Sequence, residues 1–398
     1  MRPLVCSLVL AGVLSLHSFA ADSLPPIPEP VASFGAAIDD GWLYIYGGNT
    51  GRAHEYHRDC VKGDYFRLRM PAGTVWEKLS GGMGLLGASL VSDHGSVVRV
   101  GGLTARNEKG AKDDLVSTAE VWRFDPATQQ WTALPNLPEP RSSGDATVLD
   151  HILYSGGGWN LVKGEGAADI ERWHAALAIL DLRAPEKGWH TIPQPFQRRA
   201  LAMAAQGGRV WFVGGLDPQG DLSSAVDWYD PATGRWGKGP DLPDEPMQGF
   251  GAAACAQGDR LYVSPMSGKL LRLSADGSKW ETVGKLNPAR FFHRLLPLAD
   301  GRLIAVGGSS DKGHVAPLEI LSPDAEPKPA TAAGDWSQWR GPNRDGVSPE
   351  KGWRKDWPAA GPKKLWTANV GVGMTSPVIG EQPHPARRNA LRLQRKAA

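Results

Sequence analysis

Short apolar runs, each closing on a pair of glycines, set the rhythm of this chain. WLYIYGG, SVVRVGG, HILYSGG, RVWFVGG and RLIAVGG reach their first glycines at Gly47, Gly101, Gly156, Gly214 and Gly307. Between the last two stands RLYVSP, with Ser264 and Pro265 in place of the glycines. Runs of this length, bounded by turn residues, predict strands. After each of the first five units comes a second run marked by a tryptophan, at Trp76, Trp131, Trp189, Trp236 and Trp280. Two of these runs follow the same turn, DPATQQW and DPATGRW, where Asp-Pro suits a tight reversal. Proline-marked linkers such as LPNLPEPR and GPDLPDEP then lead into small-residue stretches, GDATV and GAAAC. No convincing amphipathic helix interrupts the series. Each unit therefore predicts four short strands: a small-residue strand, one ending in glycines, a third, and a fourth carrying tryptophan.

A small innermost strand is what convergence on an axis requires, and tryptophan fills the wider gap between neighbouring sheets. The period of about 50 residues with its glycine pair resembles the kelch repeat. The resemblance implies an all-β, six-bladed kelch-type β-propeller over residues 21–325. The sixth unit, ending in LEIL (Leu318–Leu321), has no tryptophan strand after it, whereas the N-terminal SLPPIPEP reads as the end of a fourth strand with its linker. The two termini are expected to close the ring together.

The flanks read differently. Arg2, the apolar run Leu4–Leu16 and the small residues Ser18-Phe19-Ala20 predict a secretory signal peptide over 1–20, and hence an exported, periplasmic or extracellular protein. No later stretch has the length of a membrane span. Past Pro323, PDAEPKPATAAGD predicts a linker, taken as 326–334. The segment 335–380, with Trp-x-x-Trp-Arg-Gly-Pro, Arg-Asp-Gly, Leu-Trp and Gly-x-Gly before Ser-Pro, resembles the opening of a PQQ-like β-propeller. At this length it is an incomplete start of that fold, so quinone binding is not expected, and 381–398 reads as an unstructured basic tail. That tail holds Arg387, Arg388, Arg392, Arg395 and Lys396, more than the whole formal net charge of +2, so the propeller itself is close to neutral. Such a balance offers no case for a nucleic-acid partner. Of three cysteines, Cys6 lies in the leader, and Cys60 and Cys255 are expected to be separate thiols.

Four-stranded meanders also predict which residues meet. Loops following the glycine pairs and the proline linkers fall at the same end of each blade, so both ring one mouth of the central channel. Arg141 and Arg199 stand equally far before Gly156 and Gly214, and Arg290 occupies the matching place in the sixth unit. Three arginines at equivalent positions suit an anion, because guanidinium pairs with carboxylate or phosphate in bidentate fashion. The alternative is that they brace neighbouring loops. Trp159, Asn160, Trp173 and His174 offer aromatic, amide and imidazole surface suited to a sugar ring, or else blade packing. His293, between Arg290 and Arg294, is either a titrating acid or base with a lowered pKa or a structural group. In GGNTGRAHEYHRDC, His54 and His57 follow a strand and a glycine, so helical spacing does not apply and no metal site is expected there.

The phrases FGAAIDDGWLYIYGGNTGRAHEY, RSSGDATV, PQPFQRRAL, QGFGAA and RFFHRLLP resemble exported bacterial kelch proteins similar to the N-acetylneuraminate epimerase, or sialic-acid mutarotase, family. That resemblance implies interconversion of the anomers of a carboxylated sugar, with no cofactor. The chemistry needs a base, an acid and an arginine for the carboxylate. Glu55, His54 and His293 are then the expected acid–base groups, and Arg141, Arg199 and Arg290 the carboxylate binders. Where the group reads RSSHDA this chain reads RSSGDA, and Gly144 removes a mouth histidine. The competing expectation is a non-catalytic propeller that presents its mouth to a small molecule, a glycan or a protein.

Overall fold

Each of the first five units folds as its pattern predicts, into antiparallel strands stacked outward from a small-residue strand. The computed structural model describes residues 24–164, 169–243 and 246–323, together with a parallel pair, Val378–Ile379 with Arg392–Leu393. The chain divides into units 1–324 and 325–398. The signal peptide, the linker 326–334, the PQQ-like segment 335–380 and the basic tail lie, apart from that pair, outside the described residues.

Blade one comprises Gly35–Asp39, Trp42–Asn49, Val61–Arg69 and Glu77–Leu79. Blade two comprises Ser89–Ser92, Val97–Val100, Val121–Asp125 and Gln130–Leu134. Blade three, built on Ser142–Leu149, Ile152–Lys163, Ala176–Asp181 and His190–Pro193, is larger. Its long second strand runs past the glycines and also pairs with Ile170–Trp173 and with Leu115–Ser117, which pairs in turn with Leu103–Ala105, so the sheet reaches seven strands. Blades four (Ala202–Gln206, Arg209–Val213, Val226–Asp230, Arg235–Lys238) and five (Ala253–Gln257, Arg260–Ser264, Lys269–Leu273, Trp280–Lys285) return to the simple form.

The sixth unit departs from expectation. Among the described residues its sheet has only three strands, Arg294–Pro297, Leu303–Val306 and Glu319–Leu321, so the described fold is a kelch β-propeller with five complete blades rather than six. The reason is local. Proline has no N–H for a ladder, and both segments available for a fourth strand are proline-rich: Ser322-Pro323 after the third strand, and Pro25, Pro26, Pro28 and Pro30 at the N-terminal end. The N-terminal segment nevertheless packs on this sheet. Ile27 N–H donates to the Ala316 carbonyl at 2.9 Å, and Ile27, Val31 and Phe34 share one core cluster with Leu298, Ile304 and Val306.

Two repeated contacts join the sheets. The indole N–H of Trp76, Trp131, Trp189 and Trp280 donates to a carbonyl of the preceding linker, at Pro26, Ser80, Pro135 and Pro240, over 2.8 to 3.0 Å. The glycine pairs do the same work at the mouth. The second glycine N–H of each pair donates across to the next linker: Gly48 to Leu85, Gly102 to Arg141, Gly158 to Arg198, Gly215 to Gly249, and Gly308 to Val31. Both residues of a pair are left-handed, φ 67° and 100° at Gly47-Gly48 for example, a conformation glycine adopts without steric cost. Blade five has Pro265 at this place, which has no N–H to give.

Candidate functional site

The mouth is built in two layers. The inner layer is a closed ring of backbone hydrogen bonds about the axis. Ser33, Phe292, Gly251, Ala200, Ser143 and Gly87 each donate N–H to the carbonyl of the next, and Gly87 donates to Ser33, over 2.6 to 3.2 Å. All six are left-handed, four of them without being glycine, with φ between 51° and 54° at Ser33, Ser143, Ala200 and Phe292. Non-glycine residues adopt this conformation only where their surroundings impose it. The ring frames an axial opening lined among others by Ser143, Gly144, His293 and Arg294.

One ion pair ties the inner layer together. Asp145 in blade three accepts from Arg294 Nη1 of the sixth sheet at 2.9 Å, from Ser89 Oγ of blade two at 3.0 Å, and from Met203 N–H of blade four at 3.0 Å. Arg294 also donates to the carbonyls of Phe34 and Ala88. Beside it, His293 is buried with no hydrogen-bond partner on either ring nitrogen. Burial first, then Arg290 and Arg294, push its pKa down to about 3, so the ring is neutral at ordinary pH. Gly144 follows from packing: a Cβ there would lie 2.6 Å from the Gly156 carbonyl oxygen. No side chain enters at this position without moving the glycine strand.

Most of the mouth arginines face protein. Arg141 donates to the carbonyls of Ser155, Gly157 and Ala176 at 2.8 to 3.1 Å, and burial lowers its pKa to about 10. Arg290 pairs with Glu319 at 2.6 Å and donates to Pro288. The residue that matches them in blade four is Arg198, not Arg199. It donates to the Gly214 and Ala225 carbonyls and pairs with Asp227. The mismatch comes from the three glycines of blade three. The left-handed pair is Gly157-Gly158, so counting from Gly156 displaced the blade-four equivalent by one residue.

Arg199, one residue on, belongs to the outer layer. Its guanidinium lies 4.2 Å above the Trp159 ring and 5.5 Å from Trp173, with no hydrogen bond or ion pair among the described residues. Trp159 and Trp173 are register partners whose rings meet edge to face at 5.5 Å. The extension of blade three past its glycines therefore creates the platform. Tyr56, half-buried against the same apolar cluster as Trp159, has its phenol pKa raised by burial and held back by the Arg199 charge. Beneath the platform the Trp159 indole nitrogen and the Asn160 Oδ1 are buried without partners. His174 sits behind it, hydrogen-bonded to the Pro140 carbonyl with Nδ1 3.4 Å from Glu139, and burial followed by the Arg141 charge lowers its pKa to about 4.

The loop 47–60 divides its residues between roles. His54 is exposed and left-handed, φ 62°. Glu55 accepts from the Arg52 N–H, Lys109 and His57, which hold its carboxyl below the usual range. His57 is buried, with ring nitrogens toward Glu55 at 3.3 Å and the Asp59 N–H at 3.3 Å. Cys60 is likewise buried, and it and Cys255 are free thiols. No contact among the described residues joins Glu55 or His54 to His293. The structure brings together Tyr56, Trp159, Trp173 and Arg199 instead. Tyr56 was legible only as a member of its loop, since nothing in the sequence marks it as turned toward blade four.

Comparison with known proteins supports the fold. The Kelch motif family matches residues 197–243, which span blade four with Arg198, Arg199, the Gly214-Gly215 pair and Trp236. Beta-scruin of Limulus polyphemus is 26% identical over 208 residues, covering 51% of this chain and 21% of that protein. Kelch-like protein terF of Aspergillus terreus is 24% identical over 226 residues, covering 55% of this chain and 46% of its own length. The chain thus spans less than half the length of these curated relatives. The solved structure of YjhT superposes with a TM-score of 0.60 at 18% identity, covering 75% of this chain and 99% of that one. Among the described residues no helix is long and apolar enough to cross a membrane.

Proposed function

We propose that this propeller is an exported binding protein whose channel mouth holds a carboxylated sugar or glycan, with Arg199 as the carboxylate partner. The observation that carries the reading is the state of Arg199. It is half-buried, stacked on Trp159, and without a hydrogen bond or ion pair among the described residues, while Arg141, Arg198, Arg290 and Arg294 are all bonded to protein. A guanidinium fixed by an aromatic face presents its N–H fork already oriented, and a planar fork is what a carboxylate accepts. Trp173 and Tyr56 supply apolar faces for a sugar ring. The leader-like Leu4–Leu16 stretch supports action outside the cytoplasm.

A second reading has one feature in its favour. His293 is a neutral, unpartnered imidazole lining the axial opening beside Arg294, where it would serve as the acid–base group for anomer interconversion of the same sugar. Glu55 and His54 support it less, because Glu55 is held in its charged form by Arg52 and Lys109. Saturation-transfer NMR with N-acetylneuraminate tests both readings in one tube. Binding predicts saturation of the sugar protons, lost in Arg199→Ala, with anomers equilibrating at the buffer rate. Faster equilibration, abolished by His293→Gln, would favour the mutarotase. No saturation and no acceleration would remove both.

A further inference from the structure

At the end of the propeller opposite the mouth, the turns joining first and second strands bring three ligand-bearing residues together. We propose that Asp93, His94 and His151 form a binding site for a divalent transition-metal ion of the zinc class, pinning blade two to blade three. Their ligand atoms all lie within 4.8 Å of one another. His151 Nδ1 is 2.9 Å from Asp93 Oδ1, and the two imidazole rings have centroids 4.5 Å apart at 38°. Two imidazoles and one carboxylate suit zinc, nickel or copper rather than calcium or magnesium, and three protein ligands leave a position for water.

The backbone supplies an independent argument. The second residue of this turn is glycine in blades one, two and four: Gly41 at φ 71°, Gly95 at 90° and Gly208 at 71°. Blade three places His151 there at φ 64°, directly after Asp150 at 51°. A side chain in the left-handed region is sterically disfavoured, and such residues concentrate where function holds them. His94, also left-handed at φ 39°, occupies the first turn position of the facing hairpin. That hairpin is clamped from blade one: Asp39 accepts from Ser92 Oγ at 2.7 Å and from the Gly95 N–H at 3.1 Å. The His94 turn is therefore fixed in position before any ion arrives. Arg183, whose charge reaches Asp93, is paired with Asp181.

In use, the ion takes the place of the hydrogen bond between Asp93 and His151, and His94 swings its exposed ring onto the same centre. The imidazole proton of His151 then resides on the nitrogen not facing the metal. Between these two turns the link changes from one hydrogen bond to a coordinated bridge, so binding raises stability by mass action.

The experiment is thermal unfolding of the metal-stripped full chain with and without micromolar ZnCl2, MgCl2 as control, and titration calorimetry alongside. The expected result is a rise of several degrees with zinc and none with magnesium. His151→Gly is the decisive variant. It relieves the left-handed side chain, so its metal-free form should melt no lower than the parent, yet it should lose the response to zinc. His94→Ala, at an exposed position, should weaken zinc binding at least tenfold without altering the metal-free melt. A parent protein indifferent to zinc, or a His151→Gly variant that keeps the full response, would overturn the assignment. A metal-free His151→Gly melt well below the parent would also count against it, because the residue would then be there for its bond to Asp93.

Discussion

Arg198 and Arg199 are neighbours in sequence and opposites in circumstance. Arg198 points inward, with two backbone carbonyls and the buried Asp227 as partners, and it joins Arg141 and Arg290 in holding loop to strand. Arg199 lies on Trp159 and makes no hydrogen bond or ion pair among the described residues, although the charge of the Glu171 carboxylate reaches it. Alternation along an extended chain is enough to separate them. The difference shows that residue type and repeat position do not mark an arginine available to a ligand. What marks it is hydrogen-bonding capacity left over after the fold is built.

Removing the inward partner should have the largest effect. Arg198→Ala leaves Asp227 charged, buried and unpaired, a change that costs roughly 3–5 kcal/mol in comparable sites. Urea unfolding should record that loss. For both partners desolvation outweighs their attraction, with Arg198 lowered and Asp227 raised, so replacing the pair together by Met and Leu should cost far less. If the single and the double variant lose equally, the inner arginines are not held in place by this pair.

The buried histidines should give the next effect. His174 has a folded pKa of about 4 and His293 of about 3, both below the ordinary 6.5, so the unfolded chain binds more protons through that interval. Stability contributed by their neutrality is complete above pH 6.5 and is lost as pH falls toward those lower values, on the order of 3 to 5 kcal/mol per histidine. His293→Leu should flatten this acid limb, and at pH 7 it should leave stability unchanged or raise it by about 1 kcal/mol, since no hydrogen bond is removed. An unaltered acid limb would show that His293 does not stay neutral in the folded protein.

Trp131→Phe keeps the ring contact with Tyr65 and Phe124 but removes the bond to Ser80, with an expected cost of about 1 kcal/mol. Arg199→Ala should be the mildest, within about 1 kcal/mol of the parent, because only the stacking on Trp159 is lost. A large destabilisation there would erase the distinction between the two arginines.

How much of this could be read from the chain follows from the same physics. Glycine pairs, tryptophans and proline linkers carry the fold openly, because each meets a repeated geometric demand: a left-handed N–H donor, an indole reaching the preceding linker, a bend at the mouth. The incomplete sixth sheet was half-visible in its missing tryptophan, and the prolines that prevent a fourth strand were in plain view. The site was harder to read. The third glycine of Gly156–Gly158 shifted the count by one and set Arg199 beside Arg141 as an equivalent. Only the fold reveals that Arg141 and Arg290 already have partners, that Tyr56 turns toward Arg199, or that Asp145 and Arg294 meet across the axis. His151 did leave a sign, a histidine where the turns of blades one, two and four use glycine, but its meaning depends on His94 and Asp93 in the adjoining blade.

The central claim is that Arg199 is free to take a carboxylate. Titration calorimetry of the parent and Arg199→Ala with N-acetylneuraminate and with its methyl ester tests it most directly. The parent should bind the acid, bind the ester at least tenfold more weakly, and the variant should show no difference between acid and ester. Equal affinity of the parent for acid and ester, or a variant that still prefers the acid, would contradict it.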